Sequence, residues 1–466
     1  MHQIRKFFYY IVPLLLVLIL PVLIINNQKV RQLLSKASGT KANISINVTN
    51  SLGPITPFWN SFAQGGEESG DMIAPVVGEI AKLQPQHVRI DHIYDHFNLV
   101  SKNSMGQILL NFTDLDKIVG SIRKTGATPL LSLSYMPSSI AVNGDITEKP
   151  QNWDDWSYVV RATVEHYSGR NNLNIKDIYY EVWNEPDLFG NWKTYGDKNY
   201  LTLYDYAVKG AQTATNTLPF KIGGPATTNL YKNWILDLSK YVTDNNLRID
   251  FFSWHFYSQK TNDIPQMVSD LNNWLKSYPR LAFIPKIITE WGINSETDAS
   301  YDESISAAHS VAVVRNAFYG INKLFAFELV DGPSPHDKKF WGRWGLLTHP
   351  KFGISQKPRF QAFLWLNQIQ GNWLRVIGEG TYVQALACQK ENITRLLLTN
   401  YDPAKSNTED VPISLTNLEN GQYLFKIDRL DKSLVSKTIT VSDHKFTTNI
   451  VMPPNSLVFL ELTLQK

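Results

Sequence analysis

Between about residues 55 and 330, short apolar runs alternate with stretches whose apolar positions recur every three or four residues. The runs at 55–63, 86–91, 127–134, 177–182, 220–224, 250–254, 284–289 and 323–328 have the length and apolar density of buried strands. Between them Ile73, Val76, Val77, Ile80 and Leu83 trace one face of a helix. Leu115, Ile118, Val119 and Ile122 trace another, opening after Thr113-Asp114 and stopping at Gly126. The same spacing returns at Trp156, Val159, Val160 and Thr163, at Trp234, Ile235, Leu238 and Tyr241, and across 304–320. Strands alternating with helices in this number predict an α/β fold, a (β/α)8 TIM barrel over residues 51–370. An open, doubly wound sheet is the alternative, and it calls for a phosphate loop after the first strand. Ala63-Gln64-Gly65-Gly66-Glu67 offers neither G-x-G-x-x-G nor a Walker pattern, which argues against nucleotide binding.

The texture changes near residue 370. Thr394–Thr399, Gln422–Ile427, Leu434–Val441 and Ser456–Leu464 are β-rich or alternating, and Asn-Gly, Asp-Pro and Pro-Pro punctuate them. Residues 371–466 therefore read as a small β-sandwich domain. Ile44, Ile46 and Val48 alternate with polar residues just ahead of the barrel, so the 27–50 segment reads as a tether followed by a strand that joins that domain.

The opposite end of the pattern is one long apolar run. Phe7 to Ile25 carries no charge and covers about 28 Å as a helix, close to the thickness of a bilayer core. The nearest small-residue cleavage pattern, Ser35-Lys36-Ala37, stands well beyond it, so residues 1–26 read as a retained signal-anchor transmembrane helix rather than a cleaved signal peptide. Nearby Lys and Arg are more numerous after the span than before it, which taken alone would hold the body in the cytoplasm. The chemistry below argues instead for a catalytic domain outside the cytoplasm, periplasmic or extracellular.

Composition narrows the function. Lys+Arg 45 against Asp+Glu 42 leaves a net charge of +3, without the clustered basic excess of a nucleic-acid partner. A lone Cys388 excludes a disulfide framework, a Cys-based zinc site and an iron–sulfur cluster. The 13 Trp, 21 Tyr and 22 Phe suit stacking on sugar rings, though they also suit a large core.

In a barrel of this kind the chemistry sits at the carboxyl ends of the strands. The fourth strand candidate, Ile178–Trp183, delivers Asn184-Glu185-Pro186, and the seventh, Lys286–Thr289, delivers Glu290-Trp291-Gly292. An apolar strand ending in a carboxylate is costly unless that carboxylate is paired or used. Two carboxylates facing each other across a sugar-sized cleft are what glycoside hydrolysis needs, one to give a proton and one to attack or to activate water. The sixth strand ends in Ser253-Trp254-His255-Phe256-Tyr257, and Arg89 closes the second.

Asn-Glu-Pro at the fourth strand with Thr-Glu-Trp-Gly at the seventh resembles the clan of retaining (β/α)8 glycosidases, and most closely glycoside hydrolase family 39, which holds β-xylosidases, α-L-iduronidases and bacterial exopolysaccharide hydrolases. The resemblance spans about residues 50–370. It implies Glu185 as acid/base, Glu290 as nucleophile and Asn184 as partner of the sugar 2-hydroxyl. It further implies that His255 and Tyr257 line the pocket, His255 beside the acid/base and Tyr257 beside the nucleophile. Arg89 could hold Glu290 ionised by its charge. Trp183, Trp291, Trp341 and Trp344 are candidate stacking walls, and Glu328 and Asp331 candidate substrate contacts. At the eighth strand end Phe327 stands where related glycosidases often carry Trp.

No cofactor is implied. His92 and His96, with Asp91 and Asp95 beside them, read as a loop after the second strand rather than a metal site, and no Gly-x-Ser-x-Gly elbow supports a serine hydrolase. The sequence thus predicts a retaining glycosidase acting on an oligo- or polysaccharide. The alternative from another class is a catalytically silent carbohydrate-binding barrel in polysaccharide assembly or export. A barrel aldolase would need a Schiff-base lysine at a strand end, and Lys286 starts its strand at the wrong face.

Overall fold

The computed structural model describes residues 39–66, 68–431 and 433–465. The expected anchor at Phe7–Ile25 lies outside the described residues, and among those described no helix is long and apolar enough to cross a membrane.

The chain opens with β1 (Ile44–Pro54) and then enters a barrel. Its strands are β2 (Ser61–Gln64), β3 (His87–Ile90), β6 (Thr128–Leu133), β7 (Ile178–Val182), β8 (Phe220–Thr227), β9 (Phe251–Tyr257), β10 (Lys286–Gly292) and β11 (Lys323–Phe327), with a small hairpin of β4 (Val100–Lys102) and β5 (Ile108–Leu110) set between β3 and β6. Successive barrel strands pair in parallel, and β11 returns to β2 to close the ring. The helices α1 (Val77–Lys82), α2 (Thr113–Lys124), α3 (Trp153–Ser168), α4 (Tyr200–Thr213), α5 (Lys232–Asp244), α6 (Asp263–Trp274), α7 (Ser304–Ala317) and α8 (Pro358–Leu366) alternate with them. Because the helices cover the outer face and side chains fill the inner one, every residue of β10 is buried. The first barrel strand starts at Ser61 rather than near 55. Pro54 and Pro57 offer no backbone N–H to a parallel ladder, and the N–H of Ile55 is spent on Gly371 of the following domain.

After α8 come β12 (Asn372–Ile377), β13 (Val383–Lys390), β14 (Ile393–Asn400), β15 (Glu409–Thr416), β16 (Gly421–Arg429), β17 (Leu434–Val441), β18 (Lys445–Met452) and β19 (Ser456–Leu464). With β1 they form one nine-stranded sheet in the order β17-β16-β19-β14-β13-β12-β1-β15-β18. β1 pairs antiparallel with β12 and parallel with β15, which puts Ile44, Ile46 and Val48 into an apolar core. The sandwich is thus a single hydrogen-bonded sheet doubled on itself, since Phe425 of β16 meets Phe446 of β18, near opposite ends of that order, with ring centroids 5.0 Å apart.

Helix α7 joins the two parts. It is buried nearly all round, its polar Ser306, His309 and Ser310 included, packed between the barrel and strands β13, β14 and β19. Thr399 donates to the carbonyl of Ala308 at 3.0 Å, and Tyr401 to that of Gln259 at 2.9 Å. One apolar cluster runs from the barrel through this helix to Leu386, Cys388, Leu397 and Phe459.

Candidate active site

The floor of the cleft is organised by one cation. Arg89, at the end of β3 and fully buried, donates from Nε to Glu181 Oε2, from Nη1 to Glu290 Oε1 and from Nη2 to Asn184 Oδ1, each at 2.7 Å. A guanidinium suits this task because its planar fork presents several donors in fixed directions. Asp91 adds a carboxylate 3.6 Å from Nη1. Burial opposes the charge on Arg89, but Glu181, Glu290 and Asp91 outweigh it and hold its pKa above the ordinary value.

The second oxygen of Glu290 accepts a hydrogen bond from the Tyr257 hydroxyl at 2.7 Å. Nδ1 of His255 lies 2.7 Å from Glu185 Oε1 and 3.5 Å from Glu290 Oε2, so it bridges the two strand-end carboxylates. One oxygen of each glutamate and the imidazole nitrogen all lie within 4.8 Å of one another. Burial pushes the Glu290 carboxyl above its ordinary pKa, against the pull of the His255 and Arg89 charges. In His255 burial disfavours the proton, yet the Glu290 and Glu185 carboxylates prevail and lift its pKa. Glu290 and His255 thus each bias the other's protonation across the floor of the cleft.

The backbone at the end of β7 is unusual. Trp183 and Glu185 both hold positive φ, 74° and 46°, on either side of Asn184. Non-glycine residues adopt this region only when their surroundings over-determine it. Here the Glu185 N–H donates to Ala226 at 2.9 Å, and Ser132 donates to the Trp183 carbonyl at 2.9 Å. The twist brings Asn184 down to Arg89 and lets Glu185 face the cavity.

That cavity, of about 390 Å³, opens at the carboxyl ends of the strands, and Glu185, Glu290, Asn184 and Tyr257 line it. Arg89 and His255 support them from beneath, fully buried. Several expectations need correction, His255 among them, since it lies beneath the cavity and does not line it. Trp291 does not line the cavity: Glu290 points inward, so the next residue on the strand points outward, where it stacks under Arg359 at 4.6 Å and packs against His309 and Phe363. Trp183 is likewise buried, against Tyr135 and Trp192, with Nε1 donating to the Phe189 carbonyl. Glu328 is buried behind Gly65, accepting from Gln64 Nε2 at 2.9 Å and from the Gly65 N–H at 3.4 Å. Burial and the charge of Asp331 hold its pKa well above the carboxylate range. Asp331 pairs with buried Lys357. Of the remaining Trp candidates Trp344 lines the cavity, fixed by its Nε1 on the Glu296 carbonyl, and Trp341 does not.

Reasoning from sequence missed Asp91 as a wall, Glu181 as the third partner of Arg89, and Tyr135, whose hydroxyl accepts from Asn184 Nδ2 at 2.9 Å. A charged residue inside an apolar strand was available as a signal for Glu181. Nothing set Tyr135 apart from other tyrosines. His92, Asp95 and His96 do converge within 4.8 Å beside the cavity. However, His92 Nδ1 is committed to Asp95 at 2.7 Å, and the two imidazoles stack with centroids 4.3 Å apart, so their in-plane lone pairs run side by side instead of meeting at a point.

A closed parallel barrel whose strand ends bring two carboxylates together over a cavity has the arrangement that glycoside hydrolysis uses. The comparisons agree. Residues 42–438 match the model of Glycosyl hydrolases family 39, so the chain belongs to that family and is a glycosidase. A beta-xylosidase of Caldicellulosiruptor saccharolyticus is 25% identical over 423 residues, spanning 84% of this chain and 85% of that one. Among solved structures, a monomeric beta-xylosidase from Caulobacter crescentus CB15 aligns with a TM-score of 0.75 at 20% identity, covering 91% of this chain and all of its own. A GH39 enzyme from Xanthomonas axonopodis pv. citri gives 0.75 at 18% identity, covering 91% and 98%. At such identities the structural likeness speaks to the fold alone.

Proposed function

We propose that this glycosidase retains anomeric configuration and works by double displacement, with Glu290 as nucleophile and Glu185 as acid/base. The observation that carries the reading is the approach of one oxygen of each carboxylate to within 4.8 Å of the other, with His255 Nδ1 reaching both. Direct attack wants carboxyl groups about 5–5.5 Å apart, whereas a pair that activates an intervening water sits at about 6.5–9.5 Å. In the first step a Glu290 oxygen bonds to the anomeric carbon, the bond to the leaving oxygen breaks, and that oxygen takes the Glu185 proton. In the second, water attacks the anomeric carbon, its proton passes to Glu185, and the Glu290 carboxylate is released. Arg89 and Tyr257 hold Glu290 in position and stabilise it as it departs. His255 bridges the two groups whose protonation must change between steps.

A panel of aryl glycosides, beginning with β-xylosides because two curated relatives are named beta-xylosidase, identifies the glycone. Glu290→Gln is expected to abolish turnover on every substrate. Glu185→Gln is expected to impair poor leaving groups far more than activated aryl ones, with partial rescue by azide, which needs no base. Equal losses whatever the leaving group would overturn the assignment. The Phe7–Ile25 run supports a body tethered to a membrane and acting outside the cytoplasm on an oligo- or polysaccharide. External protease on cells stripped of any outer membrane but with the inner membrane intact tests this, since a body digested only after that membrane is lysed refutes it.

A further inference from the structure

We propose that Leu188 and Phe189 form the subsite for the leaving group, an apolar lip beside Glu185 that packs on the ring face of the sugar released in the first step. The inference rests on Glu185 as the acid. Residues 183–199 join β7 to α4, far longer than the usual 2–6 residues of such a connection, and long connections of this kind in compact domains are commonly functional. Leu188 and Phe189 both line the cavity and remain 57% and 40% exposed although large and apolar.

The loop that presents them is not slack. The N–H groups of Leu188 and Phe189 both donate to the Glu185 carbonyl, at 2.9 and 2.7 Å, and that of Trp192 donates to Pro186 at 2.9 Å. Trp183 Nε1 fixes the Phe189 carbonyl at 3.1 Å. The Asp187 carboxylate takes the Thr228 N–H at 3.0 Å and its hydroxyl as well, tying the loop to the end of β8. An apolar surface held rigid and wet in a cleft is prepared for a ligand that covers it.

The occupant follows from position and contrast. Asn184, Asp91, Tyr257 and Glu290 present oxygen and nitrogen atoms suited to hydroxyls, so the sugar that keeps its anomeric carbon lies among them. Asp91 is 93% buried, and its Oδ1 has no partner among the described protein atoms. The lip presents only hydrocarbon and hangs from the backbone of the acid, with the Phe189 ring 5.6 Å from that of Tyr135, and on that attachment it is assigned to the side of the oxygen that the acid protonates. The C–H face of a pyranose fits it. The same subsite then captures a second sugar once the covalent intermediate has formed. An acceptor hydroxyl attacks the anomeric carbon, gives its proton to Glu185 and releases Glu290, so glycosyl transfer to sugars competes with hydrolysis.

The test compares the full chain with a Leu188→Ser/Phe189→Ser variant on two substrates sharing the glycone identified by the aryl panel. One is the glycosyl fluoride, whose leaving group reaches no lip, and the other is the disaccharide. The variant is expected to lose roughly 10- to 100-fold in kcat/KM on the disaccharide and far less on the fluoride, with transfer products falling alongside. Phe189→Tyr, which keeps the apolar face, should restore most of the disaccharide rate. Parallel losses on both substrates would assign the lip to the glycone or to the fold, and no loss on either would leave it outside the substrate path. Both results overturn the proposal. Undiminished disaccharide turnover in Glu185→Gln would instead remove the acid assignment beneath it.

Discussion

Among the described residues, two clusters that join a buried cation to two carboxylates lie in this barrel, and only one opens on the cleft. In the first, Arg89 holds Glu181, Glu290 and Asn184, and Glu290 keeps an edge in the cavity. In the second, Lys357 reaches Asp331 and Asp302, each at 2.7 Å, and the Arg343 carbonyl at 3.0 Å. Its carboxylates turn back onto the chain, with Asp302 accepting from the Gly342 N–H at 2.6 Å and Asp331 from the Gly345 N–H at 2.9 Å. Inventories of charge are nearly the same in both. What differs is where the unspent hydrogen-bonding capacity goes: into the cleft in one case, into the loop that carries Trp344 in the other. A buried ion pair is thus a catalytic device only if one member is left facing a space a substrate can fill.

The largest effects should come from the open cluster. Arg89→Met strands Glu181 and Glu290 without their cation, which should cost roughly 3–5 kcal/mol of stability and, through loss of the preorganised donor on Glu290, lower kcat/KM by about 10²- to 10³-fold. A rate within threefold of the parent would end the comparison. Lys357→Met should instead appear as lost stability of about 3–5 kcal/mol in urea unfolding, with kcat nearly preserved and KM raised as the Trp344 wall loosens. Adding Asp331→Asn to it should recover part of the loss by removing an orphaned charge. A kcat collapse in Lys357→Met would mean that both clusters serve the chemistry.

Tyr257→Phe removes one hydrogen bond to a charged oxygen, worth about 1.5–3 kcal/mol, and should cost roughly 10- to 150-fold in kcat with little change in KM. The smallest effect concerns pH. Burial, and then the charge of Asp302, raise the Asp331 carboxyl to about 6 from the ordinary 3.8, even with Lys357 opposing. A carboxyl raised in the folded state contributes stability that is fully present below 3.8 and is lost as pH rises through about 6. Between those limits the contribution should fall by about 1 kcal/mol per pH unit. Unfolding curves of Asp331→Asn against the parent should diverge there and run parallel above pH 7.

The barrel was legible because its period is physical. Each predicted strand lies on an observed one to within a few residues, and the main slip, at the first, came from prolines that end one ladder before the next begins. Glu185 and Glu290 stood out because apolar strands seldom end in carboxylates without cause. Which neighbours face the cavity was not legible. Trp291 follows Glu290 directly and points away from the cleft, because one step along a strand turns a side chain to the other face, whereas Trp183 lies just past β7, two residues before Glu185, where positive φ at both residues replaces the strand alternation. Glu328 was misjudged because its carboxyl is spent on Gln64 and the Gly65 N–H behind the cavity wall, a pairing across more than 260 residues that nothing local in the sequence signals.

Strand β1 carries a consequence for synthesis. Its partners, Val376 on one side and Ile413 on the other, are made only after the whole barrel. At about 5–20 residues per second its alternating edge waits some tens of seconds at the ribosome with both flanks unpaired. Ile44, Ile46 and Val48 face water throughout that interval, with an aggregation risk that ends when the last fifth of the chain emerges. The same stitching makes the finished molecule hard to unravel from its first residues alone, because β1 is released only when two flanking ladders open together.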